Sequence, residues 1–239
     1  MRLVRQAAAE LVGTAFLVAT VIGSGVAAQR LSPTDRGLQL LENSLVTGAA
    51  LVALILALQP VSAAFNPVVT LVERALGAVT STAAAVLIGA QLVGGVLGAV
   101  VANLMFDLPA GEVFSHPRTG GGLWLGEVVA TLGLVVVIFG VVRSGRASLV
   151  AFAVGGYITA AYWFTSSTSF ANPAVTTARM FSDTFAGIAP ASVPMFIVMQ
   201  LLGGALAYGL VRVLYPQAEA VAAHLTTEPQ DHFIARSQR

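Results

Sequence analysis

Long apolar runs separated by short polar segments make up most of the chain. A helix needs about 20 mainly apolar residues to cross the hydrocarbon core of a bilayer. Six runs are near that length, at 7–29, 43–59, 82–106, 123–142, 148–165 and 194–215. Two further apolar runs, 66–72 and 172–181, are too short to cross. The pattern therefore predicts an all-α integral membrane protein with six spans and two short helices that enter the membrane without crossing it.

Each short run begins with an Asn-Pro pair. The first reads Asn66-Pro67-Val68 and the second reads Asn172-Pro173-Ala174. Asn commonly caps a helix, and Pro is best tolerated in the first helical turn. Backbone that breaks off inside a membrane is tolerated only where protein buries it or where it lines a water-filled cavity. We therefore expect two re-entrant half-helices whose amide groups and free backbone N–H groups face one polar constriction.

The sequence around the two Asn-Pro pairs also repeats. Glu-Leu-Val-Gly-Thr at 10–14 recurs as Glu-Val-Val-Ala-Thr at 127–131, and Gln-Leu-Val-Gly-Gly at 91–95 recurs as Gln-Leu-Leu-Gly-Gly at 200–204. Either proline alone could be an ordinary helix kink, but a kink does not explain matches in the same order in both halves. Each half has three spans, so the second copy must enter the membrane upside down. We expect a first repeat over 1–122, an inverted second repeat over 123–215 and a cytoplasmic tail over 216–239.

The composition excludes several classes of protein. Hydrophobic residues make up 56% of the chain and charged residues only 10%, which is typical of an integral membrane protein. The net charge is +1 and no basic stripe occurs, so nucleic acid is not expected as a partner. The chain has no cysteine, which excludes disulfides and thiolate metal sites.

The arginines indicate the orientation in the membrane. Cytoplasmic loops carry an excess of Lys and Arg, and this chain has no lysine. The arginines on the side of the termini are Arg2, Arg5, Arg74, Arg143, Arg146 and Arg212. Those on the opposite side are Arg30, Arg36, Arg118 and Arg179. The bias predicts that both termini are cytoplasmic.

With its two Asn-Pro pairs and its repeated Glu and Gln-Gly markers, the chain resembles the aquaporin, or major intrinsic protein, family over residues 7–215. The resemblance implies a homotetramer with one pore per protomer, which conducts water or small uncharged solutes passively, without a cofactor or a metal and without catalysis. It also implies that Asn66 and Asn172 donate hydrogen bonds to the solute and that Glu10 and Glu127 brace the re-entrant loops. The alternative for the two glutamates is an interfacial carboxylate near a helix end.

The departures from the family pattern bear on selectivity. Val68 stands where the family usually has Ala. Val175 stands three residues after the second Asn, where the family usually has the Arg of the outer selectivity filter. The other filter positions, counted from the Asn-Pro pairs, are Thr47 or Val46, Ala160 and Ser169. None of these side chains is aromatic or charged, so we expect a wide filter, unless Tyr162 or Trp163 points inward and narrows it.

A displaced charge is a further possibility, because Arg179 lies one turn beyond Val175. Its guanidinium could reach the outer mouth of the pore. The interpretation we favour from sequence is an arginine at the water interface that pairs with Asp183 and points away from the pore.

The expected cargo is therefore a small neutral solute, together with water. Bacterial members with Val in place of the filter Arg resemble a branch associated with arsenic, so glycerol-like polyols and metalloid hydroxides such as arsenous acid are candidates in a bacterial cytoplasmic membrane. The alternative is a channel that conducts mainly water. A secondary transporter would need ionisable groups at the midplane, where only Glu10 and Glu127 are available. An intramembrane enzyme is also disfavoured, because His116, His224 and His232 lie in a loop and in the tail.

Overall fold

The computed structural model describes residues 1–113, 115 and 117–216, and these form a bundle of helices with no strand in the described ranges. The α-helices are α1 (Arg2–Leu31), α2 (Arg36–Leu58), α3 (Pro67–Ala75), α4 (Ser81–Met105), α5 (Gly121–Arg143), α6 (Val150–Phe164), α7 (Pro173–Ala178) and α8 (Val193–Leu214). Short 3₁₀ turns occur at Ala147–Leu149, Arg179–Phe181 and Pro190–Ser192. Except for Pro216, the tail predicted over 216–239 lies outside the described residues, and so does His116.

The predicted all-α membrane architecture is confirmed. Within the described residues, six helices are long and apolar enough to cross a bilayer, namely α1, α2, α4, α5, α6 with the turn before it, and α8 with the turn before it. The two short helices, α3 and α7, begin at Pro67 and Pro173 as the Asn-Pro pairs predict. The second short helix ends sooner than expected, because the α-helix stops at Ala178 and continues as a 3₁₀ turn.

Helix α2 begins two turns earlier than the apolar run predicted. Asp35 caps it, since its carboxylate accepts a hydrogen bond of 2.9 Å from the backbone N–H of Leu38. Asn43 is fully buried and its side-chain amide donates 2.9 Å to the carbonyl of Val21 on α1. The first turns of α2 are therefore polar because they form hydrogen bonds to α1. A hydropathy pattern cannot distinguish such a polar helical segment from a loop.

Equivalent helices pack in equivalent ways in the two halves of the chain. The most extensive contacts join α1 to α4 in the first half and α5 to α8 in the second. Both half-helices contact α4 as well as α8, so each of them is held by both halves. This arrangement brings the starts of α3 and α7 together in the middle of the bundle.

The repeated Gly-Gly pairs are points of close approach between helices. In α4, Gly94 faces the backbone of Leu11 on α1, and in α8, Gly203 faces the carbonyl of Val128 on α5. The second glycine of each pair, Gly95 or Gly204, faces the half-helix of the other half. A side chain at Gly94, Gly95 or Gly203 would meet backbone atoms, and one at Gly204 would meet the side chain of Val68. The glycines therefore set the spacing of the bundle.

Gly98, one turn after Gly94, offers a test of this packing. A Cβ atom at Gly98 would lie 2.9 Å from the carbonyl carbon of Ala15, so Gly98→Ala should destabilise the protein by about 1–3 kcal/mol through overpacking. The matched control is Gly89→Ala in the same helix, where a Cβ meets nothing within 4 Å. We expect the Tm in detergent to fall for Gly98→Ala alone, and equal Tm values for the two variants would contradict the close packing.

Candidate channel pore

A cavity of about 960 Å³ runs through the middle of the bundle. Residues of both half-helices and of the spans α1, α2, α5 and α6 line it. Arg2 and Arg5, on the first turns of α1, lie at one end of the lining, and Arg179 lies in the other half of the chain, after α7. Asn66 and Asn172 both contribute to the wall between these ends.

The two asparagines cap the half-helices. The side-chain oxygen of Asn66 accepts a hydrogen bond of 2.9 Å from the backbone N–H of Val68. That of Asn172 accepts hydrogen bonds from the backbone N–H groups of Ala174, at 2.9 Å, and Val175, at 3.3 Å. Each amide oxygen thereby satisfies backbone N–H groups at the start of its own helix. The amide nitrogens remain for other partners.

Those nitrogens bond the two loops to each other. The amide nitrogen of Asn66 donates 2.7 Å to the carbonyl of Ala171, and that of Asn172 donates 2.7 Å to the carbonyl of Phe65. A carboxamide nitrogen carries two N–H groups, so each asparagine keeps a second donor after this bond is made. Because both residues line the cavity, these second donors can serve a solute that passes between them.

The other residues of the two Asn-Pro segments shape the helix starts without lining the cavity. Pro67 and Pro173 occupy the first turns of α3 and α7, and both are buried. Val68 and Ala174 are buried as well, and neither contributes to the cavity wall. Val68 packs where Gly204 leaves room, which explains how a residue larger than Ala fits there.

Glu10 braces the first loop. Its carboxylate accepts hydrogen bonds from the backbone N–H groups of Ala64 at 2.9 Å and Phe65 at 2.7 Å. Ser62 Oγ donates at 2.5 Å and the side-chain amide of Gln91 at 2.8 Å. Glu10 has no solvent-exposed surface, so the interfacial alternative is wrong for this residue.

Glu127 makes the same arrangement in the second half. Its carboxylate accepts 2.9 Å bonds from the backbone N–H groups of Phe170 and Ala171, and a 2.5 Å bond from the side-chain amide of Gln200. It too is fully buried. Phe65 and Ala171, the residues before the two asparagines, both have φ of 48°, a left-handed conformation that is strained for residues other than glycine. The carboxylates therefore hold the backbone in a shape that it would not keep alone.

Two threonines complete these networks and were missed in the sequence. The Gln91 amide also donates 3.0 Å to Thr70 Oγ1, and the Gln200 amide donates 2.7 Å to Thr176 Oγ1. Each threonine lies four residues after its asparagine, so the spacing was available in the sequence as a further repeat marker. Both are fully buried.

The structure corrects two of the filter positions obtained by counting. Thr47, Ser169 and Val175 line the cavity and are buried, as expected. Val46 is 45% exposed on the outer face of α2, because it is rotated by about 100° from its inward-facing neighbour Thr47. Ala160 is also exposed and does not line the cavity.

Tyr162 takes the place that was expected of Ala160. The cavity-facing stripe of α6 recurs every four residues, at Val154, Ile158 and Tyr162, and Ala160 lies off that stripe. The Tyr162 hydroxyl lies 3.3 Å from Thr47 Oγ1. Trp163 is about half-exposed and donates 3.1 Å to Ser44 Oγ, away from the cavity. Of the two aromatic side chains that the sequence left open, Tyr162 therefore faces the cavity and Trp163 does not.

Arg179 is also placed differently from the sequence interpretation. It is only 2% exposed and lines the cavity together with Val175. Its Nε donates to the carbonyl of Ala186, and its guanidinium carbon lies 3.5 Å from the centre of the Phe170 ring. The interpretation as an interfacial arginine paired with Asp183 is wrong, because the ring and the carbonyl hold the side chain inside the protein.

Arg118 fixes the loop that follows α7. Its Nε donates 2.8 Å to the carbonyl of Gly187 and its Nη2 donates 3.1 Å to that of Phe185. Its guanidinium carbon lies 5.3 Å from the centre of the Phe170 ring. Burial lowers the pKa of Arg118 from its ordinary value, although the carboxylate of Glu127 acts in the opposite direction.

Six membrane-length helices and two capped half-helices that meet at a central cavity define the architecture of a membrane channel. The family model described as major intrinsic protein matches residues 1–160 and 144–236. The chain therefore belongs to the major intrinsic protein family, whose members are passive channels for water and small uncharged solutes and not enzymes.

Two known proteins illustrate the similarity. The chain is 45% identical over 227 residues to Aquaglyceroporin AqpS of Rhizobium meliloti (strain 1021), which covers 95% of this chain and 97% of that protein. The X-ray structure of the aquaglyceroporin from Plasmodium falciparum superposes with a TM-score of 0.74 over 91% of this chain and 99% of that chain. The identity to this second protein is 19%, so it shows the shared fold alone.

The carboxylate braces can be tested by Glu127→Gln. The amide keeps the size of the side chain but loses the charge and one acceptor, and each hydrogen bond to a charged group contributes about 1.5–3 kcal/mol. We expect a lower Tm and a clear loss of osmotic water permeability in proteoliposomes. Glu112→Gln, at an exposed loop position, is the matched control and should leave both quantities unchanged. Wild-type behaviour of Glu127→Gln would refute the bracing role.

Proposed function

We propose that the channel conducts neutral polyhydroxylated solutes of about the size of glycerol, including metalloid hydroxides such as arsenous acid, together with water. The observation that carries this proposal is Val175 in the cavity wall, at the position where the family usually has the filter Arg. The name of the Rhizobium relative, an aquaglyceroporin, is in accord with it.

The chemistry of the wall near Val175 suits such solutes. Thr47, Tyr162 and Ser169 contribute hydroxyl groups, and Ser169 Oγ has no hydrogen-bond partner among the described residues. Val175 and Ile158 contribute apolar surface. A polyol presents hydroxyl groups on a short carbon chain, so a wall with hydroxyls and apolar surface can replace its hydration without a fixed charge.

The start of each half-helix supports the preference for uncharged solutes. Helix N-termini carry a partial positive charge, and those of α3 and α7 meet at the asparagines. A cation that passes this point would lose water without gaining a negative partner. A neutral solute can accept the free N–H group of Asn66 or Asn172 instead.

A channel that conducts mainly water is the second candidate. Tyr162 favours it, because its ring lies in the wall and its hydroxyl is near Thr47. A ring there narrows the passage relative to the filter without aromatic or charged side chains that the sequence predicted. The two candidates differ in the ratio of glycerol to water permeability.

We also propose the placement and the assembly of the channel. The arginines near the chain termini support cytoplasmic termini in a bacterial inner membrane, since the burial of Arg179 leaves fewer loop arginines on the opposite side. The repeated packing supports a division into an upright repeat, 1–122, and an inverted repeat, 123–215. The family resemblance supports a homotetramer with one pore per protomer.

The filter is tested by Val175→Arg in proteoliposomes, with stopped-flow measurements of water, glycerol and arsenous acid in turn. A long charged side chain at this position should lower the permeability to the two larger solutes by about tenfold or more, which corresponds to a barrier raised by about 1.4 kcal/mol. The permeability to water should fall by a smaller factor. Flux should rise linearly with the gradient and should not occur against it.

Val175→Met is the matched control, because it adds length without charge. An equal loss of all three permeabilities in Val175→Arg would mean that the pore is blocked or misfolded. Wild-type protein that passes water but neither larger solute would support the second candidate. Saturable uptake against a gradient would instead indicate a transporter.

A further inference from the structure

The charged side chains in the cavity wall are distributed unevenly along its length. Among the described residues that line the cavity, the charged ones are Arg2, Arg5, Glu73 and Arg179. Arg2, Arg5 and Glu73 lie on the first turns of α1 and the last turn of α3, at the end of the cavity near the N-terminus. Arg179 is therefore the one charged group in the described wall between the asparagines and the opposite mouth.

The contacts of Arg179 fix a charge without neutralising it. Its partners are the carbonyl of Ala186 and the face of Phe170, and no carboxylate among the described residues pairs with it. An aromatic face attracts a guanidinium and orients its plane, so the side chain is held in one position against the wall. Asn103 and Arg118 hold the surrounding loop by bonds to its carbonyl groups, which keeps the mouth rigid.

We propose that Arg179 is the cation barrier of this channel and that it acts separately from the size filter at Val175. This inference rests on the proposed function, because it assigns the exclusion of ions and the exclusion of large solutes to different residues of the same pore.

The separation follows from position along the half-helix. Arg179 lies four residues after Val175, which places it about 6 Å further along the axis. Its guanidinium lies against Phe170, so it does not need to fill the part of the passage lined by Thr47, Tyr162, Ser169 and Val175. A neutral solute is therefore limited by the width of the passage there, whereas a cation also meets a positive charge that no carboxylate among the described residues pairs with.

The barrier should be large because the charge is buried. A fixed charge in the wall of a cleft with low-dielectric walls changes the local concentration of small ions by on the order of tenfold or more. Arg118 adds to this field from behind Arg179, since its guanidinium is near the same ring but does not line the cavity. This electrostatic field does not act on a neutral polyol, which carries no net charge.

The test compares Arg179→Gln with Arg179→Lys in proteoliposomes that report sodium and proton flux together with glycerol and water permeability. We expect Arg179→Gln to raise cation flux by about tenfold or more while glycerol permeability stays within about twofold of wild type. Arg179→Lys keeps the charge and should keep cation flux near the wild-type level. Arg30→Gln is the matched control, because it removes an exposed charge on the same side, outside the cavity wall.

Adding Val175→Arg to Arg179→Gln moves the charge to the proposed size filter at Val175. We expect cation flux to return toward the wild-type level and glycerol permeability to fall, which would show both roles in one variant. If Arg179→Gln does not give a monodisperse protein, Arg179→Met is measured in its place, because it keeps the apolar stem that packs on Phe170 and removes the charge.

The proposal is overturned if removal of the charge leaves cation flux unchanged, or if Arg179→Gln raises glycerol permeability as much as cation flux. The latter result would make Arg179 part of the size filter. A wild-type protein that conducts only water would refute the proposed solute class, yet the cation flux of the variants would still be measurable. The two failures are therefore distinguishable.

Discussion

The structure depends on one constraint, namely that two helices begin in the middle of a membrane, where lipid offers nothing to their free backbone groups. The asparagines meet part of this need by capping their own helices and by bonding to the carbonyl before the other asparagine. Each half-helix start therefore depends on the other. Neither Asn-Pro segment has its full set of partners without its counterpart, so the channel exists only when both repeats are folded together.

The carboxylates of Glu10 and Glu127 bind the backbone N–H groups of the loops that lead into the two half-helices. Glu10 and Glu127 are buried without an ion-pair partner among the described residues, and each is surrounded by backbone N–H groups and a glutamine amide that donate to it. Charge-assisted bonds of this kind offset the cost of burying the charge. The same bonds hold the left-handed residues before the asparagines. Carbonyl groups of these residues are thereby aimed across to the opposite loop.

Much of this arrangement could be predicted from the sequence, because hydropathy, the Asn-Pro pairs and the repeated Glu and Gln-Gly markers are local signals. The filter was predicted less well. Which face of α6 points to the cavity depends on how that helix is rotated in the bundle, and counting from Asn172 chose Ala160 where the structure places Tyr162. The surroundings of Arg179 were also predicted incorrectly. Its aromatic partner, Phe170, precedes Asn172 in the chain, so the spacing along the half-helix does not reveal the contact.

Comparison of the two repeats within the chain shows where the pore is specialised. The position three residues after each asparagine is Val69 in one half and Val175 in the other, and both line the cavity. The position seven residues after each is Glu73 in the first half and Arg179 in the second, and both again line it. The braces and the valine walls are thus common to the two halves, whereas the charge changes sign. In the inverted arrangement proposed above, these equivalent residues lie toward opposite mouths, so that the symmetry separates the charged positions from the uncharged walls near the centre.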